Sequence, residues 1–184
     1  EWLWTFNMPT DHPRVRLSDV WLPGDAVLGD PQFGLAIAQH FVHENRIRLA
    51  ASSLGTARYC IDESVRYAKE RHTFGQPLAS NQSIQFRLAE LHGEYQALRA
   101  LTLQTAWEMD RISKREVAAQ LSDTVAICNY RANRLVCDAA DRAMQVHGGI
   151  GYSRHKPFEH IYRHHRRYRI TEGSEEIQMR KVAG

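Results

Sequence analysis

The sequence predicts an all-α fold, an up-down four-helix bundle of long helices that follows a short β-strand remnant. From Phe33 onward, apolar residues recur at steps of three and four, which is the spacing of one buried helix face. Before Phe33, prolines and glycines interrupt short β-prone pieces. Hydrophobic residues make up 43% of the chain and charged residues 24%, and no apolar run reaches the roughly 18 residues of a membrane span. This composition excludes a disordered chain and a transmembrane anchor.

Residues 1–30 are interpreted as the end of a β-domain and a linker, and residues 31–184 as a helical bundle domain. Two β-prone pieces, residues 14–17 and 19–22, lie in a stretch punctuated by Pro9, Pro13, Pro23 and Pro31. Two strands are too few to close a sheet. We therefore expect the remainder of the β-domain to lie in a longer protein.

Three long helices are expected between residues 33 and 147, each of about thirty residues and hence roughly 45 Å long. The first ends before Gly75 and Pro77, the second begins near Ser80, and the third begins near Arg115 and ends at Gly148 and Gly149. Helices of this length are typical of bundles. Residues 152–184 are expected to form a short amphipathic helix, a turn at Glu172 and the start of a final helix.

Charge and cysteine usage exclude several classes of protein. The formal net charge of +3 is too small to indicate a nucleic-acid-binding protein by itself. Cys60, Cys128 and Cys137 fall within helical patterns and show no CxxC spacing, so we expect buried free thiols in a reducing compartment.

The loop after the first helix, residues 71–78, contains Arg71, Thr73, Phe74 and Gly75. One interpretation is a plain helix connector in which Phe74 fills the core. The other is an anion site, in which the Arg71 guanidinium and the Thr73 hydroxyl bind a phosphate.

The turn after the third helix contains Gln145, Gly148, Gly149 and Gly151. Its glycines permit a ligand or another backbone to approach closely, and exposed amides there can hold an anion. The spacing is not that of a dinucleotide fingerprint, and a glycine helix cap explains the same residues.

The third candidate site is the turn that contains Glu172, Gly173 and Ser174. Ser174, followed by Glu175 and Glu176, is typical of a helix N-terminus. Capping does not explain Glu172, which precedes a glycine at a loop tip.

These three motifs, in this order and separated by helices of this length, resemble the C-terminal half of the FAD-dependent acyl-CoA dehydrogenases. Residues 17–29 are similar to the end of the middle β-domain of that family. The resemblance implies α,β-dehydrogenation of an acyl-CoA thioester, with FAD accepting the hydride. It also implies a homodimer or homotetramer, a role in fatty acid metabolism and electron-transfer flavoprotein as the electron acceptor.

The resemblance also assigns roles to individual residues. Glu172 corresponds to the catalytic base, Gly173 lies near the substrate, and Arg46 is similar to a residue that contacts CoA. The residues implied to contact FAD are Arg71, Thr73, Gln82, Gln145, Gly148, Gly149 and Ser174, of which Gln145, Gly148 and Gly149 reach the FAD of a neighbouring subunit. The family usually has Thr at the position of Ser174 and often Gln at the position of Glu176.

Some branches of this family carry the base on the first long helix, one residue before an arginine. Here that position is Asn45, before Arg46, and an amide cannot accept the proton. Glu44 lies one residue away, roughly 100° around a helix, so it is expected to point elsewhere. Glu172 is therefore the predicted base.

The segment 154–169 has six basic residues, one acid and four histidines. His160 and His164 have an i, i+4 spacing that metal ligands use, but no acid or cysteine with ligand spacing accompanies them, and no metal site is predicted. Tyr162 and Tyr168 interleave with the arginines as in nucleic-acid-binding surfaces, so a nucleic-acid-binding or oligomerisation module is the alternative function. The family resemblance instead implies a helix that leads to the Glu172 turn, with its charges paired to acids such as Glu90, Glu94 or Asp141.

The resemblance covers only part of the family's length, and it implies a bacterial cytoplasmic or a mitochondrial enzyme. Because the N-terminal helical domain and most of the β-domain of the family are not in this chain, we predict that the 184 residues alone do not hold FAD tightly.

Overall fold

A computed structural model describes residues 1–5 and 12–184. Strands β1 (Trp2–Leu3) and β2 (His12–Pro13) pair antiparallel, and Pro9 lies outside the described residues. Residues 14–17 and 19–22 are not strands, contrary to the prediction. An isolated β-prone piece gains its hydrogen bonds only from a neighbouring strand. In the described part of the chain Arg14 N–H donates to the Glu1 oxygen at 2.7 Å, and no strand is paired with residues 15–17 or 19–22.

Six helices make up most of the rest of the described chain, and the all-α class is confirmed. They are α1 (Gly34–Glu70), α2 (Gln82–Met109), α3 (Lys114–Gln120), α4 (Ser122–His147), α5 (Phe158–Arg166) and α6 (Glu175–Val182). Strands β3 (His72–Thr73) and β4 (Gln76–Pro77), each of two residues, form a hairpin between α1 and α2. Helix α1 has 37 residues and is therefore roughly 55 Å long.

Helix α4 is the centre of the bundle, since α1, α2, α5 and α6 all pack against it. Its buried face is rich in small residues, including Ala132, Ala139 and Ala143, which face Ala50 and Ala57 of α1 in the same core. Small side chains let two helix axes approach closely, so the α1–α4 pair has the most extensive packing. The three cysteines are buried free thiols, as predicted, and burial raises the pKa of Cys60 to about 12.

Three local predictions differ from the structure. The third predicted helix is divided at Leu121, whose backbone angles of φ −118° and ψ 0° are not helical. The N-cap of α2 is Asn81, since Ser80 belongs to a 3-10 turn. Phe74 does not fill the core: it lies at the hairpin tip with its side chain fully exposed.

No helix in the described residues is both long and apolar enough to cross a membrane.

Candidate functional site

Glu172 lies at a turn between α5 and α6, which we call the tip (residues 171–174). Its φ is 59° and that of Gly173 is 87°, so two successive residues occupy the left-handed region. For a non-glycine residue this conformation costs on the order of 1–3 kcal/mol and persists only where the surroundings impose it. The contacts around Glu172 show what imposes it.

Two neighbours on α1 hold Glu172. The Asn45 amide donates to Glu172 Oε1, and Arg48 in turn donates to Asn45 Oδ1, which fixes the orientation of the amide. Arg46 donates from Nε and Nη2 to the backbone oxygen of Glu172, at 3.0 and 2.6 Å. Burial lowers the pKa of Arg46, and the nearby Glu172 opposes that shift. The side chain and the backbone of Glu172 are thus fixed independently.

The structure places the residues predicted around Glu172 in different roles. Asn45 is a hydrogen-bond donor to the carboxylate, consistent with its exclusion as a base. Glu44 points away, as predicted, and is exposed beside His40 and Lys114. Arg46, predicted to contact CoA, contacts the tip itself.

Gly173 is required by its backbone angle and by the space around it, because a Cβ there would lie 3.1 Å from Arg46 Nη2. Ser174 occupies the N-cap position of α6, but its hydroxyl makes no capping hydrogen bond. Capping therefore does not account for the Ser174 side chain. Glu176 is exposed in the first turn of α6.

The basic segment 154–169 anchors the tip through Arg169, which pairs with Glu175 at 2.7 Å, while Arg134 of α4 pairs with the same carboxylate at 3.1 Å. The Arg169 hydrogen bond is the largest cause that lowers the pKa of Glu175 to about 2. The predicted acids are not the partners of this segment in the described residues: Glu90 pairs with Arg87 on α2 itself, and Glu94 pairs with Arg131 of α4. Lys156 and Arg163 pair with Glu63 and Glu159.

A cavity of about 290 Å³ opens beside the tip, between α1, α6 and the start of α4. Four basic or titratable side chains line it: His43, Arg46, Arg180 and Lys181. His43 is buried, its Nδ1 has no partner among the described residues, and burial lowers its pKa. Sequence reasoning missed His43, although its i, i+3 spacing to Arg46 places both on one helix face.

The residues predicted to contact FAD, apart from Ser174, lie at the other end of the bundle. We call this set the hairpin end: Arg71, Thr73, Gln82, Gln145, Gly148 and Gly149. Arg71 and Thr73 lie on or beside the β3–β4 hairpin, Gln82 is the first residue of α2, and the three others lie at the end of α4. Arg142 of α4 donates to the Ser83 oxygen of α2 at 2.7 Å, and His147 of α4 stacks on Tyr67 of α1 at 4.3 Å. The end of α4 therefore contacts both the start of α2 and the end of α1.

The hairpin end offers its donors to solvent. Arg71, Gln82, Gln145, Gly148 and Gly149 are exposed, and Thr73 is half-buried. A Cβ at Gly149 would meet nothing within 4 Å, whereas one at Gly151 would lie 2.7 Å from the Met144 oxygen. A guanidinium, a hydroxyl, side-chain amides and open glycine backbone are the donors that phosphate oxygens accept from, so this set fits a dinucleotide such as FAD.

The tip and the hairpin end are far apart in one chain. Arg46, which contacts the tip, and Glu70, beside the hairpin, are 24 residues apart on α1, a separation of roughly 36 Å along the helix. The two sets of residues therefore lie towards opposite ends of α1.

The chain is similar to known proteins. The family model of the acyl-CoA dehydrogenase C-terminal domain matches residues 32–184. The mitochondrial short-chain specific acyl-CoA dehydrogenase of Bos taurus is 36% identical over 93% of this chain and 40% of its own length. The CarC subunit of the caffeyl-CoA reductase-Etf complex of Acetobacterium woodii is 30% identical over 92% of this chain and 43% of its own length.

Solved structures show the same similarity. Butyryl-CoA dehydrogenase from Megasphaera elsdenii matches with a TM-score of 0.79 and 30% identity, over 89% of this chain and 41% of that protein. The chain therefore spans less than half the length of these relatives.

Proposed function

This chain belongs to the acyl-CoA dehydrogenase family, whose cofactor is FAD, and on that premise we propose that it is the C-terminal part of an enzyme that dehydrogenates an acyl-CoA thioester. The observation that carries the proposal is the tip, where Glu172 is held in a left-handed conformation by hydrogen bonds to its side chain and its backbone. A carboxylate oriented in this way is suited to remove a proton from a bound substrate.

Glu172 is the proposed catalytic base. Asn45 holds Oε1, which leaves Oε2 to accept the proton from the carbon next to the thioester carbonyl. Arg46 fixes the backbone oxygen of Glu172, so the peptide that joins Glu172 to Gly173 cannot rotate while the proton moves. When bound, FAD supplies the acceptor for the β-hydrogen, which leaves as hydride.

The hairpin end is proposed to hold the FAD of a neighbouring chain, and Ser174 to contact the FAD of its own chain. The separation of roughly 36 Å along α1 supports this division. It implies a homodimer or a homotetramer in which each FAD lies between two chains. Arg71 and Thr73 would bind the phosphates, and Gln82, Gln145, Gly148 and Gly149 would complete the cradle.

Partners and compartment are proposed from the same premise. CarC is named as a subunit of a complex with Etf, and this supports electron-transfer flavoprotein as the acceptor of electrons from the reduced enzyme. Acyl-CoA is the proposed substrate, with Gly173 and Arg46 beside it. A bacterial cytoplasm or a mitochondrion is the proposed location.

The experiment uses the full-length enzyme, purified with FAD and mixed anaerobically with a panel of acyl-CoA thioesters. Bleaching of the flavin absorbance measures the reductive half-reaction. Glu172→Gln is expected to slow it by about 10²- to 10⁴-fold, the contribution of a positioned base. The exposed Glu176→Gln is the matched control and should react at the rate of the unaltered enzyme. Near-normal bleaching by the Glu172→Gln enzyme would refute the proposal.

A further inference from the structure

A series of hydrogen-bonded, buried polar side chains, which we call the amide chain, runs from the tip to His165 of α5. Gln178 Nε2 donates to the Gly173 oxygen at 2.6 Å, and Asn129 Nδ2 donates to Gln178 Oε1 at 2.9 Å. Asn133 Nδ2 donates to Asn129 Oδ1 at 3.1 Å. Ser53 Oγ donates to Asn133 Oδ1 at 2.7 Å and lies 3.2 Å from His165 Nδ1. Four helices contribute residues to the amide chain: α1, α4, α5 and α6.

The directions of these hydrogen bonds are fixed at both ends. Gln178 must point its amide nitrogen at the Gly173 oxygen, because a carbonyl only accepts. The orientation of the Asn133 amide is fixed for the same reason, because its Nδ2 also donates to the Tyr168 backbone oxygen at 2.9 Å. Because Ser53 has one proton and gives it to Asn133, His165 must donate from Nδ1 to Ser53. Within the amide chain, every residue therefore donates to the neighbour that is nearer the tip.

Burial makes this arrangement costly to disturb. Gln178, Asn129 and Asn133 are all 0% exposed, so a partner lost from the chain leaves an unsatisfied polar group in the core. His165 is also buried, and burial lowers its pKa to about 4, which keeps the ring neutral near pH 7.

Gln178, the last residue of the amide chain, acts on the backbone of the tip. In a trans peptide the carbonyl and the following N–H point in opposite directions. Gln178 holds the Gly173 oxygen towards the core, so the N–H of Ser174 points away from it. Arg46 holds the Glu172 oxygen in the same manner. Two side chains therefore fix the two successive peptides that follow Glu172.

We propose that Gln178 is a positioning residue for Glu172, and that the amide chain from His165 through Ser53, Asn133 and Asn129 sets its orientation. This inference rests on the proposed function of Glu172. Gln178 does not touch the reacting atoms; it fixes the peptide after Gly173, and through it the left-handed turn that aims the carboxylate.

The test replaces Gln178 by Glu in the full-length, FAD-loaded enzyme. A protonated Glu has the shape of Gln and can donate to the Gly173 oxygen, whereas an ionised Glu repels it. Burial raises the pKa of such a carboxyl above its ordinary value, and we expect the carboxyl to change its ionisation between pH 6 and pH 8. The charged groups that the structure pairs with the tip or with the first residue of α6 are Arg46, Arg134, Arg169 and Glu175, and neutral His165 lies at the far end of the amide chain.

The expected result is a rate of flavin reduction about 10- to 100-fold below that of the unaltered enzyme at pH 8, which is the effect of one lost buried hydrogen bond. The ratio of the two rates should return towards one as the pH is lowered to 6. Dividing by the rate of the unaltered enzyme at each pH removes the pH dependence that the two enzymes share. Gln178→Met should be slow at every pH, and the exposed Gln96→Glu should match the unaltered enzyme.

A purely structural role for Gln178 predicts something else. The melting temperature and the FAD content would fall, but the rate per bound FAD would not change and its ratio would not depend on pH; that result overturns the proposal. If Gln178→Glu does not fold, Asn129→Asp applies the same test, because only a protonated Asp donates to Gln178 Oε1. A slow Glu172→Gln enzyme together with a flat ratio rejects this inference alone, whereas an active Glu172→Gln enzyme rejects the proposed function.

Discussion

At the tip, the side chains around Glu172 are paired with one another inside a single chain, whereas at the hairpin end the corresponding side chains face solvent. Asn45 and Arg46 already hold Glu172, and Gln178 holds Gly173. At the other end, Arg71 and Gln145 are exposed. The first arrangement is complete before a ligand arrives, which suits chemistry that requires fixed geometry. The second leaves its donors open to a ligand or another chain.

With Glu172 itself unchanged, the largest effect is expected when the side chain that holds its backbone is replaced. Arg46→Met removes both hydrogen bonds to the Glu172 oxygen and a buried charge. Charge-assisted hydrogen bonds contribute about 1.5–3 kcal/mol, so the rate of flavin reduction should fall roughly 10- to 100-fold. FAD content should stay constant, because the hairpin end is unchanged.

Arg58→Lys is the matched control for Arg46→Met, because Arg58 lies on the same helix in an exposed pair with Asp62. It should leave the rate unchanged. Loss of FAD by the Arg46→Met enzyme, without a slower reaction per bound FAD, would show that the two ends are not independent.

The next effect concerns the stability of the fold at acid pH. The pKa of Glu175 is lowered to about 2 by its hydrogen bonds to Arg169 and Arg134, so the ionised form stabilises the fold. That stability is fully present above the ordinary pKa of Glu and is lost as the pH falls from about 4.5 to about 2. Glu175→Gln should lower the free energy of unfolding by about 2 kcal/mol at pH 7 and flatten its dependence on pH below 4.5.

Calorimetry from pH 7 to pH 3 measures this difference, with the exposed Glu176→Gln as the control. An equally steep loss of stability in the Glu175→Gln protein would mean that other groups cause the acid sensitivity. His165 acts in a separate window, because its lowered pKa removes stability as the pH falls from about 6.5 to about 4.

The smallest effect distinguishes two glycines of one turn at the hairpin end. Gly151→Ala places a methyl group 2.7 Å from the Met144 oxygen and should cost about 1–3 kcal/mol of stability. Gly149→Ala meets nothing within 4 Å and should leave the melting temperature within about 2 °C. If the Gly149→Ala protein melts as early as the Gly151→Ala protein, the turn is a structural cap and Gly149 is not kept open for a ligand.

The sequence predicts the tip well because its signal is local. Glu172, Gly173 and Ser174 are consecutive, and the apolar period of three and four residues gives the long helices around them. The charge pairs of the basic segment were predicted wrongly, since Glu175 lies six residues beyond Arg169 and the pairing depends on the reversal of the chain at the tip. Residues 14–17 and 19–22 were predicted as strands, but a strand also needs a partner, which their own sequence does not contain.

The buried amide chain was not predicted. Its partners are separated by 49 residues between Asn129 and Gln178 and by 112 between Ser53 and His165. Within α4, Asn129 and Asn133 stand four residues apart on the buried face, and that interruption of an apolar face was the available signal.

We propose that the tip and the hairpin end of one chain serve different FAD molecules, and mixed oligomers test this division. The full-length Glu172→Gln chain is combined with a full-length Arg71→Ala, Thr73→Ala chain by unfolding and refolding with FAD, each chain being nearly inactive alone. If each FAD lies between two chains, a mixed dimer has one site with an intact tip and an intact hairpin end. Random pairing should then restore about a quarter of the activity of the unaltered enzyme. Activity no greater than the sum of the two separate variants would contradict the account.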